Sequence, residues 1–559
     1  MPEPAPAQAA ATDAPAAARP APLLAALLAA AASGMALAAV FPLLGWDWMA
    51  WFALAPLLIV VARADNWWRA LAPGYVAGVV FFGFSCPWIA TTIHNYGDLG
   101  RATSGLIFAL FLLLMGSYLA IFAGLGYAIG RGLGHRLLPL PFLWVAVELL
   151  RTYTPMGGFP WNLLGSSQAA HAGFMLVAPV AGVYGASFLI ALANTLLAGL
   201  LLRFYDERNA PTPRPWPTRR DGVLAAGLGL ILAFATLPYH PPSLPVRTLR
   251  ARLVQPNTPL EGSWSNARLQ AFLDEQLRLS APATGRAAAL ILWPEQPAPL
   301  DYALQTNFQA MTAELLSRTR ATFVFGEVSY PLSALGAPEF DQPRNSVQVV
   351  HPDGTTGERY DKLHLVPFGE YVPLPGWLKR WAGVGKLVQE VGEFVPGKGP
   401  VLFTLNGRSF ATLICYESIF PALARREVAM GAEWLVNQSD DGWYGASSAA
   451  AQGLQMAQVR AIENRRWLLR DTNDGITAVI DPYGRITAEL PQHQAGELEA
   501  SFSPLTELTF YTRHGDWLAY ACCAMVALLA LAALIHTRRH PWPSPPPHPS
   551  PSAGPDATS

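Results

Sequence analysis

The sequence predicts a two-part fold. One part is a multi-span α-helical membrane domain of about eight spans. The other is an α/β domain that lies between the last two spans and outside the cytoplasm. Three observations predict it. Apolar residues make up 52% and charged residues 14% of the 559-residue chain, against a charged share of roughly 25% in soluble domains. Apolar runs crowd the first 240 residues and return once near the end, leaving ordinary soluble texture between. The arginines of the short loops fall on one side of the predicted bilayer. A net charge of -1 gives no global attraction for nucleic acid.

Residues 1–20 and 537–559 are Pro/Ala-rich and Pro/Ser-rich, cannot bury a core, and are expected to be disordered tails. Seven spans are expected within 21–240, near 22–44, 47–62, 71–93, 103–129, 137–150, 173–201 and 222–238. The second and fifth are short against the roughly 17–25 residues a bilayer requires. The last span falls in 516–536, near 517–535. One set of loops carries Arg63 and Arg69, Arg131 and Arg136, then Arg203, Arg208, Arg214, Arg219 and Arg220, and Arg538 and Arg539 flank the last span. The opposite loops carry Arg101 and Arg151. The positive-inside rule makes the basic set and both termini cytoplasmic and puts 241–515 outside. "AAAASG" in the first run resembles a signal-peptide cleavage site, but the run is too long for such a segment and is read as an anchor.

Within 241–515, "TLRARLVQPN", "AAALILWPE", "ATFVFGEV", "NSVQVVHPDG", "RSFATLICYE" and "AEWLVNQSDD" read as strands. "NARLQAFLDEQLRL" and segments near 303–318 and 447–463 read as helices. Three strands end in reactive or polar residues: Glu295, Cys415 and "NQSDDGW". Layered folds commonly carry their sites at strand ends. The four cysteines, Cys86, Cys415, Cys522 and Cys523, have no metal-ligand spacing and imply no disulfide framework. Taken singly, Glu295 is a solvated strand end, Lys362 in "RYDKLHLVPFGEYVP" a surface lysine, and Cys415 in "LICYES" a small core hydrophobe. An unpaired thiol outside the cytoplasm is a liability unless it is buried or used.

Taken together, Glu295, Lys362 and Cys415 resemble the Glu–Lys–Cys set of the nitrilase, or carbon–nitrogen hydrolase, superfamily. The wider motif order resembles its membrane branch, the apolipoprotein N-acyltransferases, over nearly the whole chain. "GGFPWNLLG" (157–165), "LVQPNTPLEGSW", "WPE", "YDKLHLVPFGEYVP", "CYE", "LVNQSDDGWYG", "QMAQVRAIENRRWLLRDTNDGITAVIDPYG" and "GDW" follow in the family's order. Two departures are Gly453, near a place where some relatives carry histidine, and Asp440, where the family usually has asparagine; they bear on acceptor contacts rather than on the chemistry.

The resemblance implies an αββα sandwich and a two-step acyl transfer with no metal or organic cofactor. A phosphatidylethanolamine-like phospholipid acylates Cys415. The thioester then acylates the α-amine of a diacylglyceryl cysteine at an apolipoprotein N-terminus. Glu295 serves as base, and Lys362 faces the oxyanion. Glu370, Tyr416, Glu417 and Trp264 are supporting residues by the same resemblance. Glu370 would orient Lys362 or the amine, and the backbone N–H of Tyr416 would reach the oxyanion. A structural ion pair remains open for Glu417, simple packing for the Tyr416 ring and a core position for Trp264. The resemblance also implies a monomer in the bacterial inner membrane with its catalytic domain in the periplasm. The segment 373–397, with Trp377, Leu378 and Trp381, reads either as a lid on the bilayer surface or as an amphipathic helix packed on the domain. "GGFPWNLLG" reads as lipid entrance or docking loop, and Glu148 with Arg151 as a helix-end pair. The competing readings are a membrane-anchored amidase of a small amide and a non-catalytic membrane scaffold.

Overall fold

The computed structural model describes residues 22–42, 44–96, 100–209, 217–244, 248–260, 263–281, 287–331, 337–371 and 393–539. Trp377, Leu378 and Trp381 lie outside the described residues, as do 1–21 and 540–559.

All eight apolar runs are helical. They hold α1 (Leu23–Ala39), α2 (Ala55–Arg63), α3 (Trp68–Ser85) with α4 (Trp88–Tyr96), α5 (Arg101–Gly132), α6 (Leu140–Tyr153), α7 (Ala178–Arg208), α8 (Arg219–Ala235) and, at the end of the chain, Trp517–Arg539. Among the described residues, three helices are long and apolar enough to cross a bilayer: Arg101–Gly132, Phe174–Arg208 and Trp517–Arg539. The α3–α4 pair, bent by 57°, would make a fourth. The last helix continues through Arg539, into the segment expected as a tail.

The breaks have local causes. Pro87 separates α3 from α4, because proline disfavours a helical conformation in the residue before it. The second run splits into a 3₁₀ turn (Asp47–Trp51) and α2. The opened backbone is satisfied by Asn194 of α7. Its Oδ1 accepts from the N–H groups of Leu54 (2.9 Å) and Ala55 (3.1 Å), and its Nδ2 donates to the carbonyl of Ala50 at 2.8 Å. In an apolar surrounding an unpaired backbone group is costly, and Asn194 supplies the partners for the groups this break opens. Helix α7 kinks at Gly182, whose φ of 64° a side chain would resist and where an added Cβ would stand 2.6 Å from the Tyr511 ring.

The region between α8 and the last helix is a two-sheet sandwich. The first sheet runs β12-β1-β2-β3-β4-β5 and the second β11-β10-β9-β8-β7-β6. Their ranges are β1 (Leu249–Gln255), β2 (Leu290–Leu292), β3 (Thr322–Ser329), β4 (Arg344–Val350), β5 (Thr356–Asp361), β6 (Phe403–Leu405), β7 (Arg408–Ile414), β8 (Leu435–Ser439), β9 (Leu468–Thr472), β10 (Thr477–Ile480), β11 (Ile486–Leu490) and β12 (Gly496–Phe502). Helices α9 (Asn266–Ser280) and α10 (Thr306–Thr319) accompany the first sheet. Helices α11 (Pro421–Ala429) and α12 (Ala449–Asn464) accompany the second. The short α13 (Phe510–His514) leads into α14 (Trp517–Arg539). β1–β2–β3 and β7–β8–β9 pair in parallel, and β2, β3, β8 and β9 are buried along almost their whole length, as parallel strands covered on both faces are. Two parallel strand ends matter most: β2 leads to Glu295 and β7 to Cys415.

Candidate active site

Cys415 sits where β7 turns into a 3₁₀ segment (Cys415–Ile419). Its φ of 49° is left-handed, a conformation that non-glycine residues hold only where the surroundings impose it, at about 1–3 kcal/mol. The imposing group is Glu417. Its Oε2 accepts from the Ile414 N–H at 2.7 Å. Its Oε1 accepts from the N–H groups of Leu363 (2.7 Å) and His364 (3.0 Å) and from the Tyr360 hydroxyl (2.8 Å). One buried carboxylate thus ties the nucleophile turn to the backbone just after Lys362. Burial pushes the Glu417 carboxyl up to about 7 despite those donors. The ion pair left open by the sequence is replaced by this four-donor clamp.

Lys362 follows β5 and is 1% exposed. Its ammonium donates to Glu295 Oε1 and to Glu370 Oε1, each at 2.9 Å. Burial alone would lower its pKa, but Glu295, Glu370 and the Cys415 sulfur outweigh it and hold Lys362 well above the ordinary lysine value. Glu370 is fixed through Oε2, which accepts from the Val366 N–H at 2.8 Å. Glu295 is 5% exposed, and its second oxygen accepts from the Asp440 N–H at 2.9 Å. Gly326 of β3 runs so close beneath the Glu295 turn that a Cβ there would stand 2.8 Å from Glu295 Cα and 2.5 Å from the Pro294 carbonyl oxygen.

Asn345, which the sequence reading missed, completes the cluster. Its Nδ2 donates to Glu295 Oε1 at 2.7 Å and to Glu370 Oε1 at 2.8 Å. The Lys362 N–H donates to the Asn345 carbonyl at 2.8 Å, so the β4–β5 pairing brings amide and ammonium side by side. Nothing local in "RNSVQ" announces this; the register of the two strands creates it.

Burial, then the neighbouring Glu295, push the Cys415 thiol above its usual range, while Lys362 pulls the other way. The resting sulfur is therefore a thiol, and it needs a base at the moment of attack. The site offers a protonated nucleophile, a carboxylate and a fixed cation around one point.

Tyr416 is buried, with its ring edge-on to Phe420 at 5.1 Å. Its hydroxyl donates to the Gly158 carbonyl at 3.0 Å, in the "GGFPWNLLG" loop. That loop is a docking element. Arg151 Nη1 donates to the carbonyls of Phe159 and Trp161, each at 2.7 Å. Glu148 Oε1 accepts from the Leu164 N–H at 2.7 Å. Glu148 and Arg151 each hold the loop and form no ion pair with one another among the described contacts. Trp161 Nε1 donates to Gln452 Oε1 of α12 at 2.6 Å. Gln452 Nε2 donates in turn to the carbonyls of Pro42 (2.6 Å) and Ser85 (2.9 Å). Trp264 meets Phe272 edge-on at 5.7 Å and carries Arg268 over its face, on the α9 side of the core.

The turn after β8 also reaches α4, in the apolar helical half of the chain. Thr92 Oγ1 donates to the Trp443 carbonyl at 2.8 Å and the Tyr96 hydroxyl to the Gly442 carbonyl at 3.0 Å. Tyr444 lies against Trp88 (4.9 Å) and Trp161 (6.1 Å), and its hydroxyl is 3.9 Å from Cys415 Sγ.

Comparison with known proteins follows the same division. Residues 33–196 match the apolipoprotein N-acyltransferase N-terminal domain, and 250–504 match the carbon-nitrogen hydrolase family. An apolipoprotein N-acyltransferase of Geobacter metallireducens is 33% identical, covering 90% of this chain and 95% of that one. One of Pseudomonas syringae pv. tomato is 32% identical over 91% and 97%, and one of Bradyrhizobium diazoefficiens 33% over 76% and 79%. Among solved structures, a variant of the Nesterenkonia AN1 amidase from the nitrilase superfamily aligns at TM-score 0.36 and 19% identity, over 49% of this chain and 96% of that one.

Proposed function

The chain belongs to the apolipoprotein N-acyltransferase family and N-acylates lipoproteins, and from that premise we propose a ping-pong reaction in which Cys415 carries the acyl group as a thioester. The observation that carries the proposal is the Lys362 ammonium held between Glu295 and Glu370, beside a thiol at a strained strand end.

In the first half-reaction Cys415 Sγ attacks the ester carbonyl of a phospholipid and its proton passes to Glu295. Negative charge grows on the carbonyl oxygen, and the Lys362 ammonium stabilises it; such a contact is worth about 3–4 kcal/mol. Collapse expels the lysophospholipid alkoxide, which takes the proton back from Glu295. In the second half-reaction the α-amine of the S-diacylglyceryl cysteine attacks the thioester carbonyl. Glu295 removes the amine proton, and collapse returns it to the departing sulfur. An α-ammonium has an ordinary pKa of about 7.7–8.0, so it must first lose one proton to become a nucleophile. Through both half-reactions Glu370 and Asn345 fix Lys362 and Glu295, and Glu417 fixes the nucleophile turn. We place this chemistry on the periplasmic face of the inner membrane, with 241–515 as the catalytic region and about eight spans as its anchor; the distribution of arginines supports that orientation.

The test is an intact-mass measurement on the detergent-purified protein incubated with phosphatidylethanolamine alone. One acyl mass is expected, removable by hydroxylamine and absent from Cys415→Ala. An unmodified wild-type mass would overturn the thioester.

A further inference from the structure

We infer that Tyr444 is a further catalytic residue of this reaction, its hydroxyl hydrogen-bonding the Cys415 sulfur, and that the membrane helices hold it in place. The inference rests on Cys415 being the nucleophile. The phenol oxygen stands 3.9 Å from Sγ, within reach for a sulfur hydrogen bond. In the resting thiol either atom can be the donor. Once the proton has passed to Glu295, the sulfur can only accept, and the rotatable O–H turns to it. Tyr444 keeps its own proton throughout: burial, then the Cys415 sulfur, raise the phenol well above its ordinary value.

The groups acting on the sulfur come from several elements. Glu295 follows β2 and Lys362 follows β5, while Ser439 ends β8 and Asp441 opens the next turn. Glu295 and Asp441 oppose a negative sulfur. Lys362 favours it, but its ammonium is already shared between two carboxylates. A neutral donor adds stabilisation without adding to that balance of charge. A hydrogen bond to a charged group is among the stronger ones.

The placement of Tyr444 depends on the other half of the molecule. Trp88 of α4 and Trp161 of the 157–165 loop pack against its ring. Thr92 and Tyr96 hold the carbonyls of the two preceding residues. The catalytic sheets supply Cys415, Glu295 and Lys362, and the helices position the fourth group.

The experiment measures alkylation of Cys415 by iodoacetamide against pH, in full-length protein in detergent, following the site by peptide mass. Tyr444→Phe keeps the ring and removes only the hydroxyl. Its pH midpoint is expected to rise by about one unit, a tenfold smaller thiolate fraction at fixed pH, with the limiting rate at high pH unchanged. Trp88→Phe, which loosens the packing but spares the hydroxyl, is expected to shift the midpoint in the same direction by less. A Tyr444→Phe profile that overlays the wild type overturns the inference. So does a lower limiting rate with the same midpoint, which would make Tyr444 a packing residue only. If the midpoint shifts but Cys415 takes no acyl group from phospholipid, the hydrogen bond stands and the thioester reading fails.

Discussion

At the scale of single residues, the site is an arrangement of buried charge. Two carboxylates and one ammonium cluster beside a thiol, and Asn345 is the neutral bridge that lets the carboxylates approach. Removing it leaves Lys362 as the one partner that the Oε1 atoms of Glu295 and Glu370 share. Asn345→Leu is expected to slow acyl-enzyme formation about 10–100-fold, from the roughly 1.5–3 kcal/mol of a hydrogen bond to a charged group. Asn345→Asp should be slower still, because it puts a third negative charge on Lys362. Quenched-flow mass measurement of the acyl-enzyme checks both; equal rates for the two variants would mean that only packing was lost. The residues proposed here as reactive, Glu295, Lys362 and Cys415, were singled out only together, by their resemblance to the family's Glu–Lys–Cys set, since each taken alone reads as an ordinary residue. Asn345, Tyr444 and Gln452 were not, because each acts on a partner distant in sequence and only strand pairing or docking brings the two together.

At the scale of elements, the helices and strands were largely visible in their apolar patterns, while their breaks and edges were not. The eight runs are all helical, and β1, β2, β3, β4, β7 and β8 lie where alternation or continuous apolar stretches predicted them. The strands β5, β6 and β9 to β12 escaped because several are short or polar, and β12 pairs with a strand that begins the domain. The kink of α7 had no sequence signal beyond one glycine. Structurally it frees the Val183 N–H, which donates to Glu463 Oε1 of α12 at 2.7 Å. Glu463 also pairs with buried Arg460 at 2.8 Å. Glu463→Ala therefore leaves an amide without its acceptor and a buried guanidinium without its carboxylate. It is expected to cost about 3–5 kcal/mol. Glu463→Gln keeps an acceptor for Val183 and should cost less. Thermal unfolding in detergent ranks the two, and the reverse order would remove the α7–α12 contact from the account.

At the scale of the whole molecule, the buried acids of the catalytic region set how stability varies with pH. Burial raises Glu417, Glu463 and Glu327 to about 7 and Asp474 to about 6. A carboxyl whose pKa is higher folded than unfolded binds more protons in the native state across the window between the two values. Stability then falls as pH rises through that window, from about 4 to about 7, and is lower on its alkaline side. The apparent unfolding midpoint is expected to be higher at pH 5 than at pH 8, by about 5 °C or more. A midpoint that rises across this range would show that these acids are ionised without penalty. The two-part division was legible from where the apolar runs lie along the chain. How the parts meet was not, since the interface is built from single side chains such as Tyr416, Arg151 and Gln452 that no periodicity marks.

Gln452 has a consequence for descent. Its amide joins the loop before α7, the breaks after α1 and α3, and a helix of the sandwich. A recombinant that took its helices from one ancestor and its sandwich from another would inherit half of that junction. Each half would fold on its own pattern, yet Trp161, Tyr416 and Tyr444 would face partners shaped by a different history. Exchange of halves between relatives is therefore expected to succeed only where this junction travels whole.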